Sequence, residues 1–263
     1  MSYEVEKNDI TPIENNKKEE ERKVYISKDG FVKVPVRRGI IEISPLYNLL
    51  YPAYREKAYI CGGYIRYCCS LLPNPYPASD VDIYCTNKEV FKEIEFKLLQ
   101  YLSIKSDNDI AILFHHPASN ENPFRFCPPI QLIKPNIIGK IVAKFEEGDI
   151  KTILSNFDFT VIRGALLNKE EALVDADFEH DDEKQILRIK NIHCPISSTM
   201  RICKYRLKGY YAPPIEILRL FLDWEERPED YREKLHSYLI SANEGKGLSK
   251  EEVDDLESLL RID

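Results

Sequence analysis

Hydrophobic positions along this chain follow two rhythms, and the change from one to the other divides it. Up to about residue 195, short runs that alternate apolar and polar residues are interleaved with stretches where apolar residues recur every three or four positions. KVYISKDGFVKVPV alternates on both sides of Asp29-Gly30 and predicts a hairpin with its turn there. Ser44 and Pro45 supply an N-cap and a first-turn proline for a short helix carrying Leu46, Leu49, Leu50 and Ala53, which Pro52 ends or kinks. AYICGGYIRYCCSLL reads as a strand over 58–61, a Gly62-Gly63 turn and a helix over 64–72. SDVDIYC predicts a strand, and TNKEVFKEIEFKLLQYL an amphipathic helix capped by Thr86 or Asn87, with Val90, Ile94, Leu98 and Leu102 on one face. AILF (111–114), IQLI (130–133) and FTVIRGALL (159–167) predict further strands, with a helix at about 149–154 between the last two. After Pro195 the period is helical throughout, over 197–208, 214–226, 229–242 and 249–260, the last opening with a capping box at Ser249 and Glu252. Strand and helix alternating first, and helices alone afterwards, predict an α+β or α/β sheet domain over 23–195 and a helical domain over 196–263. Residues 1–22, rich in Glu, Lys and Asn, are expected to form a disordered tail.

Composition narrows the class. With 43% hydrophobic and 31% charged residues, and no apolar run near the roughly 18 residues of a membrane span, the 263-residue chain reads as globular and not membrane-spanning. MSYEVEKNDI lacks the basic start and apolar run of a secretory signal, so the expected compartment is cytoplasmic. Seven cysteines without CxxC spacing suit reduced thiols, and Cys61, Cys68, Cys69 and Cys85 are expected in the core. A net charge of −7 argues against a surface that coats nucleic acid everywhere, but leaves room for one basic face.

The chemistry concentrates in a few positions. Asp80-Val81-Asp82, read as part of a strand, puts two carboxylates on one face, an arrangement suited to a hard cation that bridges to phosphate oxygens. Asp158 in Asn156-Phe157-Asp158-Phe159-Thr160 is an acid among apolar neighbours and needs a partner. Gly62-Gly63, at a strand-to-helix turn, offers backbone amides to phosphate, and Arg66 lies one turn further on.

CGGYIR, SDVDIY and NFDFTVIRGAL resemble the motifs of the DNA polymerase β-like nucleotidyltransferase superfamily, especially the head domain of tRNA CCA-adding enzymes and bacterial poly(A) polymerases. The resemblance covers roughly residues 58 to 167, and more weakly to about 210. It implies a small mixed sheet flanked by helices, that is, an α+β catalytic domain over 23–195. It also implies triphosphate binding at Gly62 and Gly63, and two Mg2+ (or Mn2+) ions at Asp80 and Asp82. Asp158 would lie in the site, either ligating metal as a third catalytic acid or orienting the nucleotide. Gln131 stands about where many members carry a third metal-binding acid. The implied reaction moves a nucleoside monophosphate from a nucleoside triphosphate such as ATP to a hydroxyl, with pyrophosphate leaving.

From Lys184 to Lys208 there are seven Lys or Arg residues and no acid. Arg201, Lys204 and Lys208 share a helical face, and Tyr205 and Tyr210 are placed to stack bases, so this segment is expected to hold a triphosphate tail or an RNA end, or to be a solvated helix paired with acids elsewhere. The expected acceptor is an RNA 3′ end, tRNA-like. The alternatives are a protein or small-molecule hydroxyl, or a relative that binds nucleotide without catalysis. His115-His116 and His180-Asp181-Asp182 read as ordinary surface residues. Trp224, with Leu218, Phe221 and Leu222, reads as helical-domain core. Glu229-Asp230-Tyr231-Arg232 reads as a solvated helix face, and the sequence is silent on oligomeric state.

Overall fold

The computed structural model describes residues 30–107, 111–116, 121–134, 149–243 and 249. The expected tail, the first arm of the expected hairpin, and the helix expected over 249–260, apart from Ser249, lie outside these residues.

The fold is α+β: one eight-stranded mixed sheet flanked by helices. In chain order the strands are β1 (Phe31–Pro35), β2 (Ala58–Cys61), β3 (Val81–Cys85), β4 (Ser103–Asp107), β5 (Ala111–His115), β6 (Ile130–Ile133), β7 (Gly164–Leu166) and β8 (Glu171–Asp175). They lie side by side as β1-β8-β7-β2-β3-β6-β5-β4, and only β3 and β6 run parallel. The helices are α1 (Ser44–Leu50), α2 (Gly63–Cys69), α3 (Lys88–Leu99), α4 (Ile150–Ser155), α5 (Phe178–Glu183), α6 (Pro195–Arg206), α7 (Pro214–Glu226) and α8 (Glu229–Asn243). No helix among the described residues is long and apolar enough to cross a membrane.

Alternation along β3 divides the molecule into its two faces. Val81 and Ile83 point into the larger core with Ile60, Ile130 and Leu132, under Leu46 and Leu50 of α1, Ile65 of α2 and Ile94 and Leu98 of α3. Each such side chain contributes roughly 1.5–3 kcal/mol on full burial. Asn87 caps α3 through its side chain, accepting from the Val90 amide at 2.9 Å. On the opposite face Tyr59, Cys61 and Tyr84 pack with Ile153 and Leu154 of α4. Six of the seven cysteines are buried, and Cys203 is exposed.

Three sequence readings need correction. The strand expected over 159–167 is interrupted by a tight turn at Thr160–Ile162, where the Thr160 hydroxyl donates to Asp181 at 2.8 Å, and only Gly164–Leu166 joins the sheet. His180-Asp181-Asp182 is not surface: Asp181 and Asp182 are fully buried, because Arg188, Thr160, Ser70 and Tyr210 all supply donors to them. On α7, Trp224 leans on Tyr231 of α8 with ring centroids 6.0 Å apart, but Leu218, Phe221 and Leu222 are exposed at 50%, 64% and 57%. The helix presents that side to solvent and buries Glu216 and Leu220 instead.

Candidate functional site

The separated motifs converge at one end of the sheet's second face. A cleft open at its mouth is lined by Gly62, Gly63, Asp80, Asp82, Tyr84, Gln131 and the 156–158 stretch. Its other wall is α6, through Ser197, Ser198, Arg201, Lys204 and Tyr205, with Lys208 beyond the helix end. The boundary expected at 195/196 therefore runs through the site, and both sides of it line the cleft.

The glycine turn exists because of what it lies against. Gly62 has φ +74, in the region L residues avoid, and a Cβ there would stand 2.9 Å from Asp82 Oδ2 and 3.5 Å from the Phe157 ring. Its amide donates to the Gly164 carbonyl at 3.0 Å, locking the turn to β7. Gly164 is held small in turn, since a Cβ would come within 2.8 Å of Ile65 Cγ2.

Asp82 sits on β3 in register between Cys61 and Gln131. Asp80 is not in the strand, contrary to expectation; it closes the loop before β3, which begins where the Val81 amide donates to the Pro129 carbonyl at 2.8 Å. Both carboxylates are half-buried and line the cleft. Burial, and next the charge of Asp80, push the Asp82 carboxyl up to about 7, against the opposing pull of Lys204 and Arg201.

Elsewhere in the described chain, buried acids are matched. Asp175 pairs with Arg163 at 2.7 Å, Asp177 with Lys190 at 3.0 Å, Asp181 with Arg188 at 3.0 Å, and Glu216 with Arg219 at 3.1 Å. Asp182 accepts from Ser70 at 2.5 Å and from Tyr210. Asp158 accepts from Arg201 and, at 2.9 Å, from Ser198. Among the described residues the Asp80 and Asp82 carboxylates have no hydrogen-bond or ion-pair partner. Leaving acids unmatched in a partly desolvated site is costly unless a cation joins them.

Asp158 lies in the same cleft, but its oxygens are taken up by Arg201, Ser198 and, at 3.0 Å, the Phe159 amide. Among the described residues no group of three or more His, Cys, Asp and Glu side chains is placed to hold a metal ion. Gln131 is neutral where it faces Asp82. Asp80 and Asp82 are the acids of the cleft whose oxygens no described side chain takes up.

Arg66 departs furthest from expectation. It is 1% exposed, does not line the cleft, and donates to the Tyr210 hydroxyl at 3.4 Å and to the Tyr76 carbonyl. In the basic run 184–208, Arg188, Lys190 and Arg201 neutralise buried acids, and Arg201, Lys204 and Lys208 line the cleft. Lys208 lies over the rings of Tyr205 and Tyr76, at 4.9 and 5.4 Å, and burial followed by Arg66 and Lys204 lowers its ammonium to about 8. Tyr205 and Tyr210 are core residues, 4% and 2% exposed, and not base-stacking platforms; only Tyr205 reaches the cleft. Ser198 and His193 were not anticipated. Ser198, Arg201, Tyr205 and Lys208 recur at helical spacing, a signal the sequence carried. His193 accepts from Asn191 Nδ2 at 2.9 Å, and burial lowers its pKa.

The chain is similar in fold to several solved structures of tRNA-processing enzymes. With "tRNA-processing enzyme (apo form I)" it shares 17% identity and a TM-score of 0.48, covering 75% of this chain and 51% of that one. With a CCA-adding enzyme in apo form I the values are 16% and 0.49, over 84% and 51%. With the Thermotoga maritima CCA-adding enzyme complexed with tRNA they are 13% and 0.47, over 88% and 66%. The chain thus spans about half the length of the first two. No curated protein matches it. A family model does, across the stretch from α1 to the end of α5 that holds the glycine turn and all three acids: residues 42–184, more than half of the chain, match Gad2, the Gabija anti-defense 2 family protein, and the chain belongs to that family.

Proposed function

We propose that this chain is a divalent-metal-dependent nucleotidyltransferase that moves a nucleoside monophosphate from a nucleoside triphosphate to a hydroxyl, with an RNA 3′ end as the acceptor. One observation carries the reading: buried acids elsewhere in the described chain have donors, while Asp80 and Asp82 face an open cleft with none. Two carboxylates of that kind fit a hard cation such as Mg2+ or Mn2+, and these residues would hold it. When bound, the metal supplies neutralisation of the triphosphate and a lowered pKa for the attacking hydroxyl.

The side chains of the site divide the remaining work. Gly62 and Gly63 leave room for phosphate oxygens beside Asp82, where any Cβ at Gly62 would intrude. As the acceptor oxygen bonds to the α-phosphorus and the bond to the β-phosphate oxygen breaks, Lys204 and Lys208 balance the charge of the leaving pyrophosphate. Arg201 and Ser198, which both donate to Asp158, keep α6 fixed against the 156–158 stretch. Lys204, exposed on the cleft wall, is also suited to the phosphates of an incoming RNA.

A protein acceptor is the second reading, favoured by the exposed apolar row of Ile215, Leu218, Phe221 and Leu222 on α7, a surface better matched to protein than to RNA. The family's description names Gabija anti-defense, and we propose that nucleotidyl transfer is the chemistry by which this chain serves that role. The test is incubation with each labelled triphosphate, Mg2+ or Mn2+, and total RNA plus protein. Label on RNA, lost in Asp82→Asn, supports the first reading; label only on protein selects the second; none on either with any nucleotide defeats both.

A further inference from the structure

The loop that carries Asp80 is held from beneath by a buried polar relay. Between the end of α2 and the start of β3, residues 71–80 cross the molecular surface, and three of the last, Ala78, Ser79 and Asp80, line the cleft. Arg66 donates to the Tyr76 carbonyl in the middle of this loop and to the Tyr210 hydroxyl at 3.4 Å. Tyr210 donates to Asp182 Oδ1, and Asp182 Oδ2 accepts from Ser70 at 2.5 Å. The Ser70 oxygen accepts from the Leu72 amide at 3.2 Å, which returns the relay to the loop's first turn. Arg66, Ser70 and Asp182 are at most 1% exposed and Tyr210 is 2% exposed, so the middle of the relay is shielded from water, while its ends at Leu72 and Tyr76 reach the partly exposed loop.

We infer that Arg66, Tyr210 and Asp182 are positioning residues for Asp80, setting its distance from Asp82 and hence the affinity of the site for a divalent cation. This rests on the nucleotidyltransferase reading. A buried guanidinium that bonds a loop carbonyl and is balanced by a remote carboxylate fixes backbone that otherwise has few ties of its own. The Asp80 carboxylate gains nothing directly from Arg66; it gains a fixed place.

The probe is Mn2+, whose free concentration is read by electron paramagnetic resonance in the presence of a non-hydrolysable ATP analogue, on the full chain and its Tyr210→Phe and Arg66→Met variants. Removing partners that orient a ligand typically weakens metal binding on the order of 10–100-fold. Tyr210→Phe, which keeps the ring and removes only the bridging hydroxyl, is expected near the lower figure, with faster amide exchange confined to 71–80 and an unchanged KM for ATP at saturating Mn2+. Wild-type Mn2+ affinity and wild-type loop protection in Tyr210→Phe would overturn the inference, even if Arg66→Met fails to fold. So would a raised KM that excess Mn2+ does not rescue, since that marks contact with the nucleotide. If the wild-type chain holds no Mn2+ that Asp82→Asn loses, the nucleotidyltransferase reading falls along with the relay.

Discussion

Replacing Asp82 with Asn removes a charge that the metal-free fold holds at a cost. Its carboxyl is pushed from 3.8 up to about 7, by burial first and by the charge of Asp80 second. A folded-state value above the unfolded one means that the protonated acid favours folding: the contribution is complete below about pH 4 and is lost as pH rises through about 7. Near 1.36 kcal/mol per unit, the shift sets a ceiling of roughly 4 kcal/mol; water at the open mouth and screening by salt bring the expected figure to ~1–2 kcal/mol. Urea melts of wild type and Asp82→Asn in EDTA, from pH 4.5 to 8.5, read this contribution together with the loss of the repulsion between Asp82 and Asp80. The gap between the two should grow by ~1–2 kcal/mol in favour of the variant as pH rises, then level off above about pH 8. Adding Mn2+ with a non-hydrolysable ATP analogue should stabilise the wild type and leave Asp82→Asn almost unmoved. A gap independent of pH, or one growing in favour of the wild type, would refute the claim that Asp82 is an ionised acid without a partner in the metal-free fold.

Gly62→Ala combines the backbone strain of φ +74 with a collision 2.9 Å from Asp82 Oδ2. It should cost about 2 kcal/mol in a denaturant melt and lower nucleotide transfer far more than stability alone explains. Arg201→Met leaves Asp158, 3% exposed, with only Ser198 and a backbone amide, and should destabilise the fold by about 3 kcal/mol; an unchanged melt would mean that the ion pair holds nothing. Lys208→Met should raise the half-saturating triphosphate about tenfold, the size of one lost charge-assisted contact. Because Lys208 loses its proton near pH 8, wild-type affinity should fall as pH rises through that value, and the fall should vanish in Lys208→Met.

Much of the site was legible in the sequence because its parts are local. The 58–61 and 81–85 strands carry dense apolar runs, Asn87 caps its helix within three residues, and the glycine pair marks a turn whatever surrounds it. What escaped depends on partners distant in sequence. Asp158 and Arg201 are 43 positions apart, and Arg66 and Tyr210 are 144 apart, so nothing near either residue announces the bond. Asp181 and Asp182 read as surface because two adjacent acids usually are; five donors from four other segments make them core. β4 was missed because all five of its residues are exposed, leaving no alternation to detect on an edge strand paired with β5 alone. The exposed row on α7 was misread because Leu218, Phe221 and Leu222 have the spacing of a core face, and spacing does not say what covers it.

The central claim is that Asp80 and Asp82 together hold the metal on which nucleotide transfer depends. The most direct measurement is pyrophosphate release from ATP, CTP, GTP and UTP with Mg2+ and total cellular RNA, by wild type, Asp80→Asn and Asp82→Asn, each shown to be folded by circular dichroism. Release by the wild type with at least one nucleotide, abolished by EDTA and by either substitution, is the predicted result. Equal release by folded Asp82→Asn, or none by the wild type with any nucleotide, would contradict it.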